Sequence, residues 1–301
     1  MVARSNYAAI AENGIELRTN AFGDYKFSPD AVYARVDEAT GTQWDYVLVA
    51  TKALGNAATA DMIAPAVGKS TTVVVIQNGM AVEEPFRARF RDNVILSAIA
   101  IVSGEMIAPN VMQQNRWTRL DLGPYVNASG QPSDAREEQL VAEGLAAAKR
   151  LSAIFAAAGI ADAEVHGVRE LQFVRWHKLM INGSMNPSSV LAGCRGGSDM
   201  LTDDALRDMI YDTMCEVKAL AERVLGAPMP ESFASPERII ASISRNKGGR
   251  SSMVQDWEAR RPLELDAILR APLDIARKID AQAPHLQTLY ALLQSAEAMR
   301  K

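Results

Sequence analysis

The sequence predicts a doubly wound α/β domain followed by an all-helical one, and three observations carry that expectation. Short, nearly continuous apolar runs at 45–51 and 71–76 read as strands buried on both faces of a parallel sheet. Helical spacing fills the short stretch between them, which is the pattern of a Rossmann-like unit. After a polar stretch punctuated by Pro124, Gly130 and Pro132, strand patterns stop and apolar residues recur at helical spacing. A length of 301 residues suits two domains, placed here at 1–128 and 129–301.

Each element has its own signal. Residues 1–3 read as the end of a strand, with Ser5 capping a helix that runs through Ala11. A helix over 56–67 follows the first buried strand, and Gly68 closes it from the C′ position. The second strand leads through the Asn78-Gly79 turn into a helix over 82–90, and a third strand starts near Val94. Beyond Asp134, Leu140, Val141, Leu145, Ala148, Leu151, Ile154 and Phe155 trace a helix that stops at Gly159. Further helices read over 170–191, 203–225 (cap Thr202, stop Gly226), 236–245 (cap Ser235, Pro236 at the first position), 252–259 and 263–279. The second half is thus expected to be wholly helical.

Composition removes several classes of function. The chain is 48% hydrophobic and 23% charged, with no apolar run near the roughly 18 residues that span a bilayer. A net charge of −4 without a long basic stretch argues against binding nucleic acid through phosphates. Residues 1–14 carry no signal-peptide pattern, and Cys194 and Cys215 form no Cys-x-x-Cys, so a reducing cytoplasm is the expected location. His166, His177 and His285 are too scattered for a zinc motif, and no metal is expected. Val67-Gly68-Lys69-Ser70 imitates a P-loop, but the glycine needed five residues before Gly68 is Ile63. No Gly-x-Ser-x-Gly elbow offers a hydrolase nucleophile. None of the 19 glycines is separated from another by a single residue, so Gly-x-Gly-x-x-Gly is absent. The α/β half nonetheless has the body of a dinucleotide fold.

Open α/β sheets bind ligands at the carboxyl ends of their strands. Those ends are Val2-Ala3-Arg4-Ser5-Asn6-Tyr7, Val49-Ala50-Thr51-Lys52-Ala53 and Ile76-Gln77-Asn78-Gly79-Met80. The helical half adds Lys178 and Asn182, then Asn186-Pro187, then Ser251-Ser252-Met253-Val254-Gln255-Asp256 and Glu264-Leu265-Asp266. Together, in this order and spacing, they resemble the ketopantoate reductase (2-dehydropantoate 2-reductase) family from Met1 to about Leu293. The wording around Arg4 and Asn186 is similar to its fungal branch.

The resemblance implies an NADPH-dependent reduction of a 2-oxo acid, ketopantoate to pantoate, within pantothenate biosynthesis. Lys178 would be the general acid, because an ammonium can stabilise and protonate the oxygen of a carbonyl receiving hydride. Asn182 and Asn186 follow at i+4 and i+8 on one helical face, where asparagine is a poor helix former without a ligand to bind. His177 points about 100° away from Lys178 and reads as structural. Glu264 matches the acidic residue that binds the substrate hydroxyl and orients the lysine. Ser252 matches the serine that binds the carboxylate, although alone it would read as a helix cap. Arg4 would grip the 2′-phosphate of NADP. Lys52 would approach the cofactor, and Asn78 would lie near nicotinamide and substrate. Asp256 and Asp266 read as structural.

In the family the fingerprint glycines lie in a strand-turn-helix before the residue matched by Arg4, so roughly 25–30 residues are expected to be missing upstream. A misassigned start, an artificial truncation and a true deletion all stay open. Two departures stand out. Arg270 replaces a usual glycine at an expected close-packing point, with consequences for domain closure, and Pro272 interrupts the same helix. Gly196-Gly197 replaces an asparagine of some members, which leaves the substrate open. Two rivals remain: a related hydroxy-acid dehydrogenase of secondary metabolism, and a non-catalytic homologue serving as a binding or dimerisation module. Beyond a small-molecule acid no partner is expected, with a homodimer left open.

Overall fold

The computed structural model describes residues 1–128, 130–245 and 249–300, with the side chains of 116 and 117 set aside. It divides into two compact units. The first comprises Met1–Thr51, Gly55–Gln77 and Glu83–Val168, and the second Lys52–Leu54, Asn78–Val82 and Arg169–Lys301. The sequence boundary at 128/129 lies upstream of this division. Residues between Asp134 and Val168 belong with the sheet, because the helix they form buries its apolar face on strands.

The first unit is a mixed sheet of β1 (Ile15–Thr19), β2 (Tyr25–Phe27), β3 (Tyr46–Val49), β4 (Thr72–Ile76), β5 (Ile95–Ala108), β6 (Val111–Pro124) and β7 (Ala163–Val165). Strand order is β2-β1-β6-β5-β4-β3, with β7 also on β6. β3, β4 and β5 run parallel, with Val47 opposite Val73 and Val74 opposite Leu96. Val73, Val74 and Val75 have 0% exposure, as a strand covered on both faces requires. β5 and β6 form a long antiparallel hairpin with bulges near Ser103 and between Met106 and Ala108. The two halves of β6 take separate parallel neighbours, β1 at Val111–Gln114 and β7 at Leu120–Leu122.

Helices α1 (Tyr7–Asn13), α2 (Asn56–Ile63), α3 (Glu84–Arg89) and α4 (Ala135–Ala157) complete this unit. α4 lays Ala147, Ala148 and Leu151 on Val74, Leu96 and Leu122. Gly144 lets it approach β6, since a Cβ there would sit 2.7 Å from Pro124 Cβ.

Several expectations need correction. Val2 forms only an isolated bridge with Tyr33, and α1 follows Asn6 with no side-chain cap from Ser5. α2 stops at Ile63 and passes into a short 3₁₀ turn containing Pro65, so Gly68 is not its C′ residue. β7 lies in the half expected to be wholly helical.

The second unit contains α5 (Val168–Leu191, from Arg169), α6 (Gly197–Met200), α7 (Asp204–Leu225), α8 (Pro236–Ser244), α9 (Ser252–Glu258), α10 (Ala271–Lys278) and α11 (Pro284–Arg300). Its core joins Trp176, Leu179 and Met180 of α5 to Ile210, Met214 and Val217 of α7 and to Leu286 and Leu293 of α11. Ser235 caps α8, and Gly226 ends α7 in a left-handed conformation, as the sequence indicates. The cap of α7 is Asp203 rather than Thr202, and that of α9 is Ser251 rather than Ser252. The helix expected over 263–279 is a π-turn over Asp266–Arg270 leading into α10, with Pro272 in the first turn of α10. Arg270 is not at a close-packing point: its side chain is 56% exposed, 3.8 Å from both Asp266 and Asp274 carboxylates.

Candidate active site

Two strand-end segments, Lys52–Leu54 and Asn78–Val82, group with the helical unit, and the candidate site is built where they meet it. Lys178, in the middle of α5, donates from Nζ to Asn78 Oδ1 at 2.8 Å. Asn182 stands one turn further along the helix, half-buried, and Asn186 one turn beyond that, buried. Neither side-chain amide has a hydrogen-bond partner among the described residues. Asn186 precedes Pro187, which has no N–H to return to the preceding turn.

The other segment is held by acids. Lys52 Nζ lies 2.6 Å from Asp256 Oδ2 and 3.6 Å from Glu264 Oε2. Glu264 also accepts the Ala53 backbone N–H at 2.8 Å, and Arg261 Nε binds the second oxygen of Asp256 at 2.8 Å. Asp256 and Glu264 are only 3% and 4% exposed, so each buried carboxylate meets cations or N–H donors rather than water.

The structure therefore brings Lys178 to Asn78, and Lys52 to Asp256 and Glu264. Ser252 begins α9, four residues before Asp256, and Ser251 performs the capping. Arg4 belongs to the other unit, exposed at the turn entering α1, where its carbonyl accepts the Tyr7 N–H. His177 faces Ala234 O, with its ring centroid 5.0 Å from that of Phe233 and the two planes tilted by 43°. Gly197 has a packing reason, because a Cβ there would lie 3.0 Å from Ile243 Cγ2 and 3.2 Å from Met185 Cε.

Sequence reasoning missed Arg175, which is 4% exposed and donates to the Gly79 carbonyl at 2.9 Å. Its position three residues before Lys178 was the available signal. It likewise did not foresee that Asp256 holds Lys52, 204 positions away.

In the first unit Asp121, Glu164 and His166 bring potential ligand atoms within 4.8 Å of one another. Arg119 already donates to both Asp121 oxygens and to Glu164, so both carboxylates of this cluster are already engaged by a cation of the protein. Among the described residues no helix is long and apolar enough to cross a membrane.

Family models agree with this architecture. Residues 1–127 match the ketopantoate reductase PanE/ApbA family, and residues 170–297 match the ketopantoate reductase PanE/ApbA C-terminal family. A 2-dehydropantoate 2-reductase of Nostoc sp. is 26% identical over 291 residues, covering 97% of this chain and 85% of that protein. The crystal structure of 2-dehydropantoate 2-reductase from Methylococcus capsulatus matches with TM-score 0.82 at 30% identity, covering 100% of this chain and 89% of the other. The ternary structure of D-mandelate dehydrogenase with NADH and anilino(oxo)acetate shares the fold, with TM-score 0.76 at 18% identity, covering 99% of this chain and 90% of that one.

Proposed function

This chain belongs to the ketopantoate reductase family, and we propose that it reduces a 2-oxo acid with NADPH, ketopantoate being the leading substrate. The observation that carries the reading is the 2.8 Å bond between Lys178 Nζ and Asn78 Oδ1, on a helix that also presents the Asn182 and Asn186 amides, which have no hydrogen-bond partner among the described residues. This donor set fits the reacting end of a nicotinamide and a small acid. Residues 1–301 contain no Gly-x-Gly to meet a pyrophosphate, so the fit concerns that end alone.

When bound, the reduced nicotinamide supplies the hydride that reaches C2 of the acid. Lys178 holds its ammonium where the carbonyl oxygen takes up negative charge, and gives that oxygen a proton to form the hydroxyl. The lysine, left neutral, regains a proton from solvent. Asn78 accepts from the ammonium and so fixes its direction. Asn182, Asn186 and Ser252 supply donors to the substrate, whose carboxylate Ser252 binds. Glu264 accepts from the substrate hydroxyl. Arg4 supplies the guanidinium for the 2′-phosphate, and Lys52, anchored by Asp256, sets the position of the 52–54 loop beside the cofactor.

Lys178→Ala is expected to lower kcat by roughly 10²–10⁴-fold while barely changing NADPH affinity. Steady-state turnover with ketopantoate, paired with fluorescence titration of NADPH, tests this, and a loss below about threefold removes Lys178 from the mechanism. Arg4→Ala should narrow the preference for NADPH over NADH by about tenfold or more, as one charge-assisted contact is worth roughly 1.5–3 kcal/mol. Equal use of both cofactors by the unmutated protein would overturn the assignment of Arg4.

A further inference from the structure

We infer that Arg175 is a positioning residue that locks the Asn78-Gly79 turn in the register presenting Asn78 to Lys178; this rests on the reduction proposed above. Arg175 and Lys178 are three residues apart on α5, so both project from the same side of the helix. They meet consecutive residues of the turn: Arg175 donates to Gly79 O at 2.9 Å, and Lys178 to Asn78 Oδ1 at 2.8 Å. The turn is gripped from its other side as well, where Met80 N–H donates to Ala267 O at 2.8 Å.

That acceptor exists because of how the following helix begins. The Ala271 N–H crosses the π-turn to Asp266 O, and the next residue, Pro272, has no N–H to offer Ala267. Gly79 has φ +95°, and a Cβ on it would lie 2.5 Å from Ala267 O. The turn therefore has one way to sit between α5 and the π-turn. Gly79 and Arg175 are both buried, so removing the guanidinium strips a buried carbonyl of its donor. The turn then shifts, Asn78 leaves the ammonium, and the proton is delivered from a worse position.

The test compares Arg175→Met and Arg175→Lys in the full chain, alone and combined with Asn78→Ala. The expected result is a fall in kcat of about tenfold or more for Arg175→Met, with KM for ketopantoate within about twofold. Arg175→Lys should recover part of that loss, and Arg175→Met should cost nothing further once Asn78 is alanine. Hydrogen exchange of the 79–82 amides should accelerate in Arg175→Met while that of α5 stays unchanged. Unaltered exchange together with unaltered kcat, or a full additional loss in the Asn78→Ala background, overturns the inference. If the unmutated protein reduces no 2-oxo acid, the functional reading fails by itself, and the exchange result alone decides on Arg175. Should Arg175→Met not fold, Gly79→Ala disturbs the same turn from the Ala267 side and takes the same measurements.

Discussion

Asp121 on the sheet and Asp256 among the helices are both nearly inaccessible, at 0% and 3% exposure, and each sits between an arginine and a second basic side chain. Asp121 takes Arg119 from two positions earlier on its own strand, and His166 Nε2 at 2.7 Å from just beyond β7. The backbone already joins these segments, because the His166 N–H donates to Leu122 O. Asp256 takes Arg261 from five positions on and Lys52 from a loop 204 positions away. The same chemistry thus reinforces an existing ladder in one unit and ties a remote loop to helices in the other. Loss of the first should register as stability alone, and loss of the second in site geometry as well.

The largest separation is expected from Asp121→Asn. Breaking a buried pair from one side costs about 3 kcal/mol, which urea unfolding would detect, while activity per folded molecule should stay within about twofold. Burial by itself pushes the Asp121 carboxyl up, but hydrogen bonds from His166 and Arg119, with the arginine's charge, outweigh it and hold the carboxyl below its ordinary value. A depressed carboxylate contributes stability above its unfolded pKa of about 3.9 and loses it as pH falls through the lower folded value. The gap between variant and parent should therefore be full at neutral pH and close in acid below about pH 4. A gap that does not shrink at all as pH falls below about 4 would mean the pair is not the cause.

Asp256→Asn should also reach the site, with a fall in kcat/KM of roughly tenfold, equivalent to about 1.4 kcal/mol, on top of a stability loss of the same kind, because it too is a buried carboxylate paired with cations. A variant that loses stability but keeps its kcat/KM would erase the distinction between the two aspartates. The smallest effect belongs to Arg270→Ala. Its ion pairs are long and exposed, so thermal unfolding should report a change within about 0.5 kcal/mol.

What the sequence reveals depends on how local the determinant is. β4 is apolar along its length because both its faces are covered, and β3, Tyr-Val-Leu-Val, also reads directly as a strand, although at the end of the sheet it leaves Leu48 46% exposed rather than buried on both faces. β6, Val-Met-Gln-Gln-Asn-Arg-Trp-Thr-Arg-Leu-Asp-Leu-Gly-Pro, escapes notice because its first half is polar and only its last residues enter the core. Caps at Ser235 and Gly226 are unambiguous, whereas Thr202-Asp203 and Ser251-Ser252 each offer two adjacent acceptors and the choice falls one residue away. For the site, Lys178, Asn182 and Asn186 lie on one helix and are visible as a spacing. Asp256 with Lys52, and Arg175 with Gly79, are pairs made by tertiary folding, and no local pattern announces them.

The π-turn at Asp266–Arg270 makes one anchor of the site a matter of counting. Ala267 contributes its main-chain oxygen to Met80, and its own buried Cβ stands 2.6 Å from where a Cβ on Gly79 would be, so the position needs a small side chain. Removing a single residue from the turn is another matter. An α-helix advances about 100° per residue, so a one-residue deletion would put everything before it out of phase with α10. The oxygen aimed at Met80 and the Glu264 carboxylate that meets Ala53 would swing away together. This stretch should tolerate changes of letter at its exposed ends, Asp266 and Arg270, and punish changes of length throughout.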